Sequence, residues 1–247
     1  MDRFAYLAMT GAKHSLQAQQ HNNHNLANVN TPGFRQDLDQ LVSQPVRGPG
    51  YDSRVYSVET SVGHDFRPGS IMTTGRDMDV AMAGDGWIAV QGLDGNEAYT
   101  RRGDLRISSL GVLENGAGHP VMGDAGPVAI PPADKVEIGQ DGTISIVPAG
   151  QPAEQMVVLD RIKLVNPPVQ ELGKGDDGLF RLGDGGIAPA DGAARLTSGA
   201  LEGSNVNSVE ALVNMIDHAR QFETYVKLLN KAEENDSASS SLLRSQG

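Results

Sequence analysis

Three histidines near the start of the chain, His14, His21 and His24, stand seven and three residues apart. On a helix that spacing puts all three on one face, where two or three imidazoles could hold Zn or Cu. No Asp, Glu or Cys lies close to them in the sequence to complete a site, so they read as the polar face of a packing helix. Asp176 and Asp177 form a carboxylate pair of the kind used in hydrolysis or hard-cation binding, yet they lack the alternating Asp/Asn ligands of a calcium loop and read as a solvated turn. Gly173-Lys174-Gly175 lacks the phosphate-cradling spacing before its Lys, and neither HExxH nor GxSxG occurs. The chain has no cysteine, which excludes disulfides, thiolate metal sites and Cys nucleophiles. The residues therefore predict no catalytic group, no cofactor and no metal; an enzyme is not expected.

Composition narrows the class. Thirty Gly, thirteen Pro and 4% aromatic residues in 247 call for many turns and a lean core, while 21% charged residues keep the chain in the soluble globular class. A net charge of -11 argues against a nucleic-acid binder, which needs a basic surface to neutralise phosphates. That charge sits mostly in the middle: residues 1–35 are slightly basic and residues 202–247 slightly acidic. No run is long and apolar enough for a membrane span, and no uninterrupted apolar stretch precedes Lys13 and His14, so neither membrane insertion nor a cleaved secretory signal is expected.

The elements that would carry these residues are helical at both ends and extended between. From the start to Leu26, Met9 and Leu16 form one heptad row with Asn23, and Ala5, Ala12, Gln19 and Leu26 form the other. The second half of this seam is polar, which weakens an isolated helix and predicts that neighbours complete it. Pro32 is expected to end the helix by disfavouring helical geometry at Thr31, with Gly33 permitting a sharp turn that frees Phe34 to pack. Ser204 to Asn230 reads as a second helix. Leu212, Ala219 and Val226 make one row, Met215, Phe222 and Leu229 the other, and Val209, Val213 and Ile216 a further apolar edge, wider than one helical partner would cover. Asn207 followed by Glu210 has the form of a capping box. Leu16 and Leu26 are expected to meet the row of Met215, Phe222 and Leu229.

Between the ends, strands are predicted at 87–91, 99–107, 135–139, 143–147, 156–165 and 195–201. Asp94-Gly95-Asn96 and Gln140-Asp141-Gly142 are turn sequences at hairpin spacing, which favours antiparallel pairing over a doubly wound α/β sheet. Trp87, the only tryptophan, is expected to anchor the core. The fold class is thus α+β: a discontinuous, coiled-coil-like helical domain from residues 1–35 and 203–247, an extended connector or hairpin over 36–70, and an inserted, mostly antiparallel β domain over 71–202.

Four separated blocks carry a resemblance. LANVNTPGFRQ, from Leu26 to Gln36, resembles the signature of the flagellar axial proteins, the rod and hook subunits. DMDVAMAGDGWIAVQ followed by YTRRGDL resembles the central domain of that group, and SGALEGSNVN with MIDHARQFE its C-terminal block. Trp87, RIKLV from Arg161 to Val165, GDDGLFRL from Gly175 to Leu182 and the short connector are most similar to the proximal-rod members. The resemblance implies a structural subunit of the basal-body rod that packs helically to form the export channel and transmit torque. It also implies export without a cleaved signal peptide and a periplasmic location. Its partners would be the rod subunits FlgB, FlgC and FlgG, further copies of itself, and the type III export apparatus. The implied assembly interface is Met9, Leu16 and Leu26, the turn residues Asn28, Thr31, Pro32, Gly33 and Phe34, and the helix rows Leu212, Met215, Ile216, Ala219, Phe222, Val226 and Leu229. A distal-rod or hook subunit is the alternative within the group. The competing class is a secreted β-rich glycan-cleaving or adhesin-like protein, which would need a concave pocket with convergent carboxylates between Phe34 and Leu201.

Overall fold

The computed structural model describes residues 3–45, 55–151 and 155–245. Residues 46–54 of the predicted connector, 152–154 of the predicted β domain and the extreme ends of the helical segments lie outside the described residues. The fold is α+β, with two long helices and short strands that pair antiparallel throughout the described residues. It divides into two compact units. One comprises Met1–Val29, Gln36–Asp65 and Val206–Gly247, the other Asn30–Arg35 and Phe66–Asn205.

The first unit holds helices α1 (Arg3–Ala27) and α2 (Ser208–Ser245) and the hairpin of β1 (Asp37–Pro45) and β2 (Val55–His64). α1 stops at Ala27, ahead of Pro32, so the proline is not what ends it. The side-chain amide of Asn28 donates to the carbonyl of His24 at 2.9 Å and closes the last turn first. At the start of α2, Asn207 caps as expected, its Oδ1 accepting from the amides of Val209 at 3.1 Å and Glu210 at 3.3 Å. α2 also runs fifteen residues past Asn230. The extension is mostly polar, with large apolar residues only at Leu242 and Leu243, so it has no apolar periodicity to read, but KAEE at its start is made of good helix formers.

The second unit contains β3 (Ile71–Thr73), β4 (Val80–Met82), β5 (Trp87–Gln91), β6 (Glu97–Thr100), β7 (Leu105–Ile107), β8 (Leu113–Asn115), β9 (Ala133–Ile138) and β10 (Thr143–Pro148). It continues with β11 (Val157–Arg161), β12 (Leu164–Val165), β13 (Leu172–Lys174), β14 (Phe180–Leu182), β15 (Leu196–Ser198) and β16 (Ala200–Glu202). Three predicted strands are each split in two. The 99–107 run breaks at Arg101–Asp104, the 156–165 run between β11 and β12, and the 195–201 run at Gly199, whose φ of 72° turns the chain between β15 and β16. The turns at Asp94–Asn96 and Asp141–Gly142 do join hairpins, β5–β6 and β9–β10, each tied by an Asp side chain that accepts from the amide two residues on.

A five-stranded sheet in the order β12-β5-β6-β14-β13 lies between two apolar clusters. Alternate residues of one strand go to opposite faces. Ile88 and Val90 of β5, Ala98 of β6 and Leu164 of β12 enter the larger cluster, with Leu105, Leu113, Ile144 and Leu196. Trp87, Ala89, Tyr99 and Val165 enter the smaller one, with Phe180 and Leu172. Trp87 is the anchor expected of it, its ring centroid 4.7 Å from that of Phe180 and 6.1 Å from that of Phe66.

Candidate assembly surface and the Glu202 clasp

α1 and α2 pack side by side. Three contacts fix their direction. Gly11 lies against the Tyr225 ring, the Ser15 hydroxyl donates to the His218 carbonyl at 2.8 Å, and the Asn22 amide donates to the Ala211 carbonyl at 2.7 Å. Numbers rise along one helix as they fall along the other, so the pair is antiparallel. Ala8, Ser15 and Asn22 form the inward heptad row of α1, and Ala211, His218, Tyr225 and Ala232 that of α2. Small and polar residues of α1 close the seam, with Gly11 leaving room for the Tyr225 ring, so the backbones come near enough for side-chain-to-carbonyl bonds.

This is not the seam expected from the apolar pattern. Met9 is 54% exposed and Leu16 44%, while Leu212 and Ile216 are 50% and 55% exposed; Ala219 and Val226 are also exposed. Leu26, Met215, Phe222 and Leu229 are half-buried. Of the residues expected to meet across the seam, Leu16 faces outward, while Leu26, Met215, Phe222 and Leu229 are half-buried beside the line of contact that the smaller row fills.

His24 bonds to another element of the unit. His24 turns its Nδ1 to Asp37 Oδ2 at 2.7 Å, and His64 of β2 turns its own to Asp37 Oδ1 at 3.1 Å. A carboxylate thus does meet His24, thirteen residues on in sequence and from another element. Asn25 completes the joint, its amide nitrogen donating to the Asp37 carbonyl and its oxygen accepting from the Asp37 amide, both at 2.8 Å. Among the described residues no group of three His, Cys, Asp or Glu is arranged to hold a metal.

In the second unit Thr31, Pro32 and Phe34 are half-buried and Gly33 is buried. Gly33 has φ 68°, its amide donates to the Glu202 carbonyl at 2.7 Å, and a Cβ there would collide with the Arg101 carbonyl. The Phe34 ring lies under Lys174, whose Nζ is 4.1 Å from its centroid. The turn thus has an internal task. Gly33→Ala combines a left-handed L residue, costing about 1–2 kcal/mol, with that collision; thermal denaturation of the variant is expected to show a loss of about 2 kcal/mol or more, and an unchanged midpoint would contradict it.

Beside the turn lies a buried ionic clasp. Glu202, 1% exposed, sets Oε1 2.6 Å from Arg35 Nη2 and 3.0 Å from the donating amide of Gly69, and its Oε2 accepts from Arg101 Nη1 at 3.2 Å. Arg101 also donates to the Gly84 carbonyl at 2.8 Å. Both guanidinium groups lie over the Trp87 indole, with Cζ 5.9 Å from its centroid for Arg35 and 5.3 Å for Arg101. Burial pulls the Arg101 pKa down, opposed by the attraction of Glu202. Neighbouring bonds tie the same segments: Gly203 amide to Ser70 carbonyl at 2.8 Å, Asn205 amide to Phe34 carbonyl at 3.3 Å, and Asn205 Nδ2 to Arg67 carbonyl at 3.0 Å. One carboxylate therefore gathers the stretches around residues 33–35, 67–70, 101 and 202–205.

The comparisons with known proteins fall on these segments. The model for the flagellar hook protein FlgE/F/G D1 domain matches residues 81–146, and that for the flagellar basal body rod FlgEFG protein C-terminal matches residues 197–242. The flagellar basal-body rod protein FlgF of Escherichia coli K12 is 41% identical over 98% of this chain and 99% of its own length, and that of Salmonella typhimurium 40% identical over the same shares. The chain belongs to the FlgF family of flagellar basal-body rod proteins. A FlgG protein of Buchnera aphidicola is also similar, at 32% identity over 90% of the chain. Membership of a rod family makes the chain a structural subunit of the flagellar basal body and not an enzyme.

Within the FlgF pattern, the clasp joins the two matched regions, with Arg101 in the first and Glu202 in the second. Arg35, Arg101 and Glu202 were not singled out from the sequence, although each lies inside one of the quoted blocks. Each is a charge bordered by Gly or an aromatic or small residue, a mixture that marks close packing only in retrospect. The glycan-cleaving alternative required a concave pocket with carboxylates. A cavity of about 340 Å³ does have Glu171 and Asp191 in its wall, but its other lining residues are Asn, Pro, Leu and Ala. Glu171 is exposed, so the two carboxylates do not converge in an enclosed site.

Proposed function

We propose that α1 and α2 of this FlgF-family subunit form a coiled-coil-like layer that packs helically against other rod subunits, building the wall of the export channel and transmitting torque, with the β unit inserted between them making lateral contacts. The partners are further copies of the chain and the rod subunits FlgB, FlgC and FlgG, met in the periplasm after passage through the type III export apparatus without a cleaved signal. One observation carries this reading: the inter-helix seam is already closed by small and polar residues, while Met9, Leu16, Leu212 and Ile216 remain about half exposed. An apolar surface of that kind on a long helix pair is a docking face for more helices. The interface comprises Met9, Leu16, Leu212, Ile216, Ala219 and Val226 on the exposed faces, with Leu26, Met215, Phe222 and Leu229 at their margins.

The same observation sets an expected result for the chain alone. A two-helix seam of Ala, Ser, Asn and Gly with a single His and a single Tyr buries little apolar area, while ordering each residue costs on the order of 1 kcal/mol or more. Hydrogen exchange across Ala5 to Leu26 is therefore expected to be fast in a verified monomer and slow in isolated basal bodies. Slow exchange in the monomer would remove the need for neighbours and with it this argument.

A further inference from the structure

Beyond the rod reading, and independent of it, we infer that the cavity of about 340 Å³ in the second unit is a receptor for a cationic side chain with an aliphatic stem, a lysine of a partner protein other than a second copy of this chain. Its walls are built rigidly. Pro167 and Pro168, with fixed φ, follow β12 on one side; Ala188, Pro189 and Ala190 form the other, held by the Ala188 amide donating to Tyr99 Oη at 2.7 Å and by a bridge between Ala190 and Val165. Leu182 of β14, half-buried against the Trp87 cluster, and the proline rings supply apolar surface for a methylene stem.

The charge in the wall is of one sign. Glu171 ends the 3-10 turn Val169–Glu171, and Asp191 follows the Ala190 bridge. No Lys, Arg or His lines the cavity, and among the described residues neither carboxylate has an ion-pair partner. Three other carboxylates of the same unit do have cationic partners: Glu97 with Lys163 at 2.8 Å, Asp177 with Arg181 at 2.6 Å and Asp104 with Arg102 at 2.7 Å. Asp191 Oδ1 accepts from the Ala193 amide at 2.8 Å, which fixes the carboxyl in place. Apolar surface together with two carboxylates that have no ion-pair partner among the described residues complements an ammonium on a four-carbon stem. A chain of net charge -11 is electrostatically mismatched as its own partner here, which points to a basic protein.

Isotope-labelled full chain, titrated with acetyl-Gly-Lys-Gly-amide and followed at the backbone amides of Ala188 and Ala190, tests the assignment. Saturable shifts are expected at those amides, weaker with the norleucine peptide, which has the stem without the charge. Glu171→Gln and Asp191→Asn are each expected to weaken the lysine probe about two- to five-fold and to leave the norleucine probe unchanged. Asn at 191 retains the acceptor for Ala193, so the turn survives and an unchanged spectrum elsewhere certifies the fold. Equal binding of the two probes, indifference to both substitutions, or shifts only with an N-acetylglucosamine oligomer would each overturn the proposal, whereas rod assembly would be untouched by any of these results.

Discussion

Replacing Glu202 by Ala is expected to destabilise the second unit by about 3–5 kcal/mol, because it leaves two guanidinium groups buried without their counter-charge. The desolvation of Arg35 and Arg101 is offset in the native protein by one carboxylate, one backbone carbonyl and the indole face. Water reaches none of them readily, since Arg35 and Glu202 are each 1% exposed. The loss extends past electrostatics: the Gly69 amide forfeits its acceptor as well, at a further cost of about 1–3 kcal/mol if it stays dry. Glu202→Gln keeps an oxygen for Gly69 and is expected to fall between wild type and Ala. Arg35→Met, which leaves the Glu202–Arg101 pair intact and fills the space with methylenes, is expected to cost less than Glu202→Ala. Urea unfolding followed by fluorescence reads the effect directly, since Trp87 is the only tryptophan and lies against the clasp. A Glu202→Ala protein within about 1 kcal/mol of wild type would show that the clasp is not what holds these segments together.

The clasp also marks where sequence reasoning stops. Periodicity and turn chemistry located both helices, the hairpins at Asp94–Asn96 and Asp141–Gly142, and the role of Trp87, because each depends on residues close in sequence. Strand ends were harder. Tyr99 to Ile107 looks continuous by propensity, but Arg101 must leave the sheet to meet Glu202, a partner 101 residues away that no local pattern announces. The same limit applies to Asp37, which meets His24 and His64 from two other elements.

The inward rows of the helix seam differ from the apolar rows for a physical reason. Asn22 and Asn25 weaken an isolated helix, and a search for apolar rows discounts them. Their amides instead supply bonds to Ala211 and Asp37 that a leucine could not make. Ser15 acts likewise at His218. A polar row at heptad spacing therefore marks the intramolecular contact, and Met9, Leu16, Leu212 and Ile216 are left outside it. From one sequence the two faces look alike in period and differ only in composition, so assigning them needed the fold.

That distinction sharpens the expected result for Ala219→Glu. Ala219 is exposed in the chain, between Leu212 and Val226 in its row and away from the inward row of Ala211, His218, Tyr225 and Ala232. In the isolated subunit a glutamate there meets water, so the second unit is expected to unfold at nearly the wild-type temperature. Within a packed helical layer the same carboxylate would be desolvated with no cation arranged to receive it, at a cost of about 3–5 kcal/mol per subunit. Against an assembly held by repeated contacts that is a loss of roughly two orders of magnitude or more in affinity at each step. Cells carrying Ala219→Glu are therefore expected to make and export the subunit, to build no rod beyond it and not to swim. Ala219→Ser, small and uncharged, is expected to swim normally. Normal basal bodies in the Glu strain would count against this face as the assembly surface, whereas an unfolded second unit would show that the substitution acted on folding and leave the Ser variant, with exposed-face substitutions at Leu212, to decide.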